Sequence, residues 1–241
     1  MTRQVNRVSI VIPSHNEGEN LVDTIRSVLE NTAYPDFEVV VVDDGSTDGS
    51  GDRLSNVFGN DNRIGMIRAE GVGVANARNL GATYASGKIL VFLDGHCYTP
   101  PNWMAGLIQP LADTRVGMVG PSFAIMRRGS DVRGWGMTWR DASLELEWLG
   151  QRKNTPYPVP LLGGACQAVR KADFERLGYY DAGMTRWGSE DQELCLRYWL
   201  MGYEVLVQPQ TVIYHLFRKS HCYDVQVQKI IYNRLRLAML H

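Results

Sequence analysis

The first hundred residues alternate between two periodicities, and that alternation constrains the fold more than any other feature. Val8 to Pro13, Phe37 to Val42, Ile64 to Ile67 and Ile89 to Leu93 are short apolar runs rich in Val and Ile, as in strands covered on both faces. Between them Leu21, Ile25, Val28 and Leu29 recur at helical spacing, and Ala75 to Ala85 reads as a helix that stops at Gly87. Strands separated by helices wind into a parallel sheet through right-handed crossovers. The fold class is therefore α/β, a Rossmann-like, mostly parallel sheet flanked by helices, with strands one, two and four side by side. Ligands of such sheets bind beyond the carboxyl ends of the strands.

The loops at those ends carry the polar chemistry. Asn16 and Glu17 follow the first strand, Asp43 and Asp44 the second, and Asp94 and His96 the fourth, with Arg78 on the intervening helix. A carboxylate and an imidazole two residues apart form a candidate corner of a metal site; alternatively Asp94 caps the next segment and His96 is an ordinary loop residue. The carboxylates can accept hydrogen bonds from a base or ribose, and the arginine can take phosphate. Asp43, Asp48 and Glu17 equally suit simple capping. No Gly-x-Gly-x-x-Gly follows the first strand and no Gly-x-x-x-x-Gly-Lys-Ser/Thr occurs anywhere, which disfavours a dinucleotide dehydrogenase or a P-loop nucleotidase.

Composition adds bounds. With 241 residues, 44% apolar, 21% charged and a net charge of −1, one globular domain with a sizeable core is expected, and nothing points to nucleic acid as the partner. Cys97, Cys166, Cys195 and Cys222 form no Cys-x-x-Cys pair, as expected of free thiols in a reducing compartment. The amino terminus has no apolar h-region and no stretch reaches bilayer-spanning length. The expectation is a cytoplasmic protein without a membrane span.

Four motifs in the first half, Val8-Ser-Ile-Val-Ile-Pro-Ser-His-Asn-Glu17, Val41-Val-Asp-Asp-Gly-Ser-Thr-Asp48, Ala77-Arg-Asn-Leu-Gly81 and Phe92-Leu-Asp-Gly-His96, resemble the GT-A fold nucleotide-sugar glycosyltransferases of family 2 and its relatives. Downstream, Leu162-Gly-Gly-Ala165, Gly178-Tyr-Tyr-Asp-Ala-Gly-Met184, Trp187-Gly-Ser-Glu-Asp191 and His215-Leu-Phe-Arg-Lys-Ser-His-Cys-Tyr223 resemble the catalytic domain of the polypeptide N-acetylgalactosaminyltransferases. Coverage runs from about Val8 to Tyr223, with the motifs in the right order.

The resemblance implies a single GT-A catalytic domain over 1–241: a nucleotide-binding half at 1–97, an acceptor and metal half at 98–223, and a C-terminal amphipathic helix at 224–241. It implies that Asp94, His96 and His215 hold a divalent cation, usually manganese, against the diphosphate of a UDP-sugar. Pro13, His15, Glu17 and Asp44 match nucleoside-pocket positions, with Asp44 toward the uracil imide, and Arg78 and Arg218 match phosphate-side positions. Trp187 matches the donor side. Arg218 to Tyr223 resembles the loop that folds over the donor and excludes water, with the alternative of a solvated basic turn. Gly163 and Gly164 would let backbone approach the sugar, and Glu190 would hold sugar hydroxyls.

Two departures stand out. Asp191 occupies a place where these relatives, which retain anomeric configuration, usually carry Asn; Glu-Asp is the pairing of inverting GT-A enzymes, in which the Asp is the general base. Alternatively Asp191 only satisfies the first amides of a helix from Asp191 to Met201. At Gly71-Val-Gly73 relatives often place a basic residue. The lectin module and membrane anchor of the animal enzymes are not found in the sequence, so neither a Golgi location nor a mucin-like acceptor is carried over.

The acceptor side is less legible. Trp139 and Trp148 suit an amphipathic core helix, leaving Trp135, between two glycines, as the acceptor candidate. Val225, Val227, Ile230, Ile231, Leu235 and Leu237 make a final amphipathic helix, expected to dock on a second subunit or a further C-terminal domain. The expected function is metal-dependent transfer of a hexose or N-acetylhexosamine from a UDP-sugar to a hydroxyl or thiol of a peptide, glycan or small molecule. The alternatives are a family 2 transferase for a lipid-linked or polysaccharide acceptor, and a sugar-nucleotide-binding protein without transfer activity.

Overall fold

The computed structural model describes residues 6–126, 132–218 and 225–241. In chain order the elements are β1 (Val8–Ser14), α1 (Glu19–Asn31), β2 (Phe37–Asp44), α2 (Ser50–Phe58), β3 (Ile64–Ala69), α3 (Val74–Tyr84), β4 (Ile89–Leu93), β5 (Cys97–Tyr98) and α4 (Trp103–Ile108). After a 3-10 turn (Gln109–Ala112) come β6 (Val116–Ile125), β7 (Arg133–Gly134), β8 (Met137–Trp139), β9 (Leu146–Trp148), β10 (Tyr157–Pro158), β11 (Cys166–Arg170), α5 (Lys171–Arg176), α6 (Glu190–Leu200), β12 (Glu204–His215) and α7 (Val227–Leu240).

The main sheet has the order β10-β12-β6-β11-β4-β1-β2-β3. Strands β3, β2, β1 and β4 pair in parallel, as do β6 and β12, while β11 runs antiparallel between β4 and β6. β1 does lie between β2 and β4. Its register with β2 runs from Val8 opposite Phe37 to Ser14 opposite Asp43, so both strands empty their polar loops at one edge.

Period-two alternation explains the two core layers. Ile10 and Ile12 of β1, with Val91 and Leu93 of β4, pack with Leu21, Ile25 and Val28 of α1 and Trp103 and Leu107 of α4. Val11, Leu90 and Phe92 point the other way, among Ala75 and Ala82 of α3, Phe174 of α5 and Leu194 and Tyr198 of α6. Each Val, Leu, Ile or Phe side chain among them contributes roughly 1.5–3 kcal/mol of burial. Helix α3 lies close enough to the sheet that a Cβ on Gly81 would sit 2.4 Å from a Val11 methyl carbon. That contact brings Arg78, one turn earlier, against the sheet's edge.

The region before residue 158 differs from expectation. Trp139 and Trp148 lie on the antiparallel pair β8–β9, with Met137 opposite Trp148, and not on a helix. Strand β12 runs unbroken from Glu204 to His215, with an irregularity in its register between Gln208 and Val212. Among the described residues no helix is long and apolar enough to cross a membrane.

Candidate active site

Pairing within the sheet assembles the metal corner. Asp94 leaves β4, His96 follows, and the next residue, Cys97, pairs with His215 of β12. That antiparallel pairing brings two imidazoles far apart in sequence together: their ring centroids are 4.8 Å apart and their Nε2 atoms 3.0 Å apart. His215 Nε2 is 3.8 Å from Asp94 Oδ2, and one ligand atom from each residue falls within a 4.8 Å cluster. Two imidazoles and one carboxylate around so small a space suit a borderline first-row cation such as manganese. Burial pushes the His215 pKa down to about 4, against the pull of Asp94, so its ring is neutral, as a ligand must be. Burial opposes charge on Asp94, yet the Arg78 guanidinium and both imidazoles hold its carboxyl below the usual range.

Arg78 is 2% exposed and was expected to meet phosphate. Instead it is a buried clamp: its Nη1 donates to Glu190 Oε1 at 3.0 Å and its Nη2 to Asp94 Oδ1 at 2.9 Å and to the Gly164 carbonyl at 3.0 Å. Tyr180 lies beneath the guanidinium, 5.4 Å from ring centroid. With Nη1 on Glu190 and Nη2 on Asp94 and the Gly164 carbonyl, this enclosed cation organises the carboxylates. Glu190 is buried, and its second oxygen accepts from the Gly188 amide at 2.9 Å.

Asp191 is the second residue of α6, beside this clamp. Its oxygens accept from the amides of Gly164 and Gln192, each at 2.9 Å, so it satisfies one amide of the first turn and ties the helix to the Gly163–Gly164 turn. Burial first, and then the neighbouring Glu190, raise its pKa to about 7, the value of a base poised at neutral pH. The glycines have a more specific reason than expected. A Cβ on Gly164 would lie 3.1 Å from Asp191, and one on Gly163 would meet Phe123 and Trp148 at 3.1 and 3.2 Å.

On the nucleoside side, Pro13 lies in β1 and His15 Nδ1 lies 2.6 Å from the Asp44 carbonyl. Asp44 is buried and accepts from the amides of Val72 and Gly73 at 2.7 and 2.9 Å; it fastens that loop, with one acceptor site per oxygen left over. Asp43 and Asp48 cap as the alternative reading had it, taking the amides of Ser46 and Ser50. Glu17, expected on this side, is engaged at the metal corner. It is buried, with Oε1 3.0 Å from His96 Nδ1, and it pairs with Arg218, because the loop after β1 folds toward β4. Tyr223 and the rest of the expected lid, 219–223, lie outside the described residues.

Sequence reasoning missed two contributors. Asn233, fully buried on α7, accepts from the Thr185 amide at 2.8 Å and donates to the carbonyls of Thr185, Trp187 and Gly188 at 2.9, 3.3 and 2.9 Å. The helix expected to dock a partner thus braces the segment that presents Trp187 and Glu190. A lone Asn in an otherwise apolar stripe was the available signal. Near the metal corner, Trp148 is 41% and Phe217 43% exposed; Trp148 packs edge-on against Phe217, which packs on His215 at 4.4 Å. Trp135 is half-buried against the core, so the open aromatic face belongs to Trp148.

Residues 9–178 match the family described as glycosyl transferase family 2, and residues 150–221 match the N-terminal domain of galactosyltransferase. Among curated relatives, human polypeptide N-acetylgalactosaminyltransferase 16 is 32% identical over 90% of this chain and 41% of its own length. A putative polypeptide N-acetylgalactosaminyltransferase 13 of Drosophila melanogaster is 31% identical over 92% and 43%. The chain thus spans less than half the length of these relatives. The crystal structure of GalNAc-T7 with UDP, GalNAc and Mn2+ superposes with a TM-score of 0.86 at 25% identity, covering 99% of this chain and 49% of that one. A mannosyltransferase of Pyrobaculum calidifontis, solved with GDP-Man and Mn2+, gives 0.69 at 21% identity over 98% and 70%. The GT-A architecture expected from the motifs is the one observed.

Proposed function

The chain belongs to glycosyl transferase family 2, and from that premise we propose that it is a divalent-metal-dependent enzyme moving a hexose or N-acetylhexosamine from a UDP-sugar to an acceptor hydroxyl or thiol. The observation that carries this reading is the convergence of Asp94, His96 and His215 on one small volume at the sheet's ligand edge. A cation held there would neutralise charge developing on a diphosphate leaving group. The names and bound ligands of the relatives favour UDP-GalNAc as donor and a peptide hydroxyl as acceptor.

The chain's own residues divide the remaining work. His15 and Asp44 frame the nucleoside, the Gly163–Gly164 turn and Glu190 border the sugar, and Trp148 with Phe217 offers an apolar wall to the acceptor. Asp191 takes the acceptor proton, which its pKa of about 7 suits; a base acting on the face opposite the leaving group inverts the anomeric centre. The test is UDP release from a panel of UDP-sugars with Mn2+, with and without chelator, and the product anomer read by NMR. Chelator-sensitive release from one donor supports the enzyme. UDP binding without release from any donor, whichever acceptor peptide is supplied, favours a binding protein instead. A retained anomer removes Asp191 from the role of base.

A further inference from the structure

The residue whose position departs furthest from its sequence reading is Glu17. It is 6% exposed, sits on the loop after β1, and turns away from the nucleoside edge toward the metal corner. Its Oε1 lies 3.0 Å from His96 Nδ1, and the same carboxylate pairs with Arg218, whose Nη1 is 3.3 Å from Oε1. An ionised carboxylate only accepts hydrogen bonds. The proton of that contact therefore sits on His96 Nδ1, and a neutral ring with its proton there has a bare Nε2.

From this geometry we infer that Glu17 is a positioning residue for the metal site, fixing His96 as the Nδ1–H tautomer with the Nε2 lone pair aimed between His215 and Asp94. The inference rests on the metal-dependent reading above. Carboxylate partners of this kind orient a ligating imidazole and raise its basicity. The facing ring agrees with the assignment. With His96 Nε2 bare, the 3.0 Å contact to His215 Nε2 requires the proton on His215 Nε2, which leaves His215 Nδ1 without one. That atom is buried and has no hydrogen-bond partner among the described residues, as a bare nitrogen tolerates better than an N–H. The site holds one imidazole ready to ligate and a second that ligates through Nε2 only once its proton has moved to Nδ1. Glu17 also adds a negative charge beside the ligand set, where Arg78 and Arg218 place positive ones.

Two other roles make different predictions. A residue lining the nucleoside pocket would alter UDP binding without metal, and a mere partner of Arg218 would be mimicked by Arg218→Ala. The experiment compares wild type, Glu17→Gln, Glu17→Ala and Arg218→Ala. Mn2+ binding at saturating UDP is followed by electron paramagnetic resonance, metal-free UDP binding by calorimetry, and the histidine tautomers of the metal-free proteins by 15N NMR. Thermal melts confirm that each variant is folded. Glu17→Ala is expected to weaken Mn2+ binding by roughly 10–100-fold and to shift His96 toward the Nε2–H form. Glu17→Gln, whose amide oxygen still accepts from Nδ1–H, is expected to keep the tautomer and lose less. Metal-free UDP affinity stays the same in both, and Arg218→Ala leaves the His96 tautomer in place. Unchanged Mn2+ affinity or an unchanged His96 tautomer in Glu17→Ala overturns the role of Glu17, as does Arg218→Ala reproducing both effects. A wild type that binds no Mn2+ overturns the metal-dependent reading itself, a distinguishable failure.

Discussion

Replacing Arg78 by Met separates organisation from chemistry at this site. The guanidinium is enclosed and donates to Glu190 at 3.0 Å, to Asp94 at 2.9 Å and to the Gly164 carbonyl at 3.0 Å. Met fills much of the same volume and supplies no charge, so two carboxylates lose their partner in a dry setting. Breaking a buried pair from one side costs about 3–5 kcal/mol. For a chain of this size each kcal/mol shifts Tm by roughly 2–4 °C, so a fall of about 6–20 °C is expected. The sign with pH follows from Asp94, whose folded pKa lies below its unfolded value because of Arg78 and the imidazoles, burial notwithstanding. Its stabilising contribution is complete above the unfolded pKa of about 3.9 and disappears as pH falls through the lower folded value. The variant reverses that shift, so its deficit is largest at pH 8 and narrows below about pH 5 as the carboxyls take protons. Urea midpoints of wild type and Arg78→Met at pH 8 and about pH 4 measure this directly. A deficit under about 1 kcal/mol at pH 8, or an equal one at both pH values, refutes the clamp.

Three further perturbations test neighbouring parts. Asp191→Asn removes a carboxyl that burial and Glu190 raise to about 7; because the folded pKa is above the unfolded one, the wild type is penalised increasingly from about pH 4 upward. The variant should therefore gain stability at pH 8, lose that gain toward pH 4, and lose about 100-fold or more in kcat if Asp191 is the base, read by paired melts and UDP-release assays. Gly81→Ala would force a methyl to within 2.4 Å of Val11, and urea unfolding should show a loss of about 1–3 kcal/mol from overpacking. Asn233→Ala strands the Thr185 amide and three carbonyls; a stability loss of about 2 kcal/mol or more should accompany a higher donor KM, because the segment holding Trp187 loosens.

The parts legible in advance were those governed by local pattern. The strands at Ile10, Val40 and Leu90 announce themselves because burial on both faces demands uninterrupted apolar side chains. Asp94, His96 and His215 were legible as a set through their motifs, and β5–β12 pairing supplies the physical link. The β8–β9 pair was not legible: Trp139 and Trp148 sit in a stretch of 127–158 with no clean period, and short apolar runs there suit helix and strand alike.

What the sequence by itself determined is the α/β alternation, the edge where ligands collect and the residue types gathered there, since these depend on periodicity and on which side chains follow each strand. What only the tertiary structure decided is the partner of each charge. Arg78 was free to meet a phosphate until packing of α3 on the sheet enclosed it among Asp94, Glu190 and Gly164. Glu17 was free to line a nucleoside pocket until the loop after β1 laid it against His96, and Asn233 had no visible role until α7 crossed residues 185–188. Chain pattern settles which groups reach an edge. The partners they take there depend on contacts between residues from 16 to 112 apart in the chain, which no local spacing encodes.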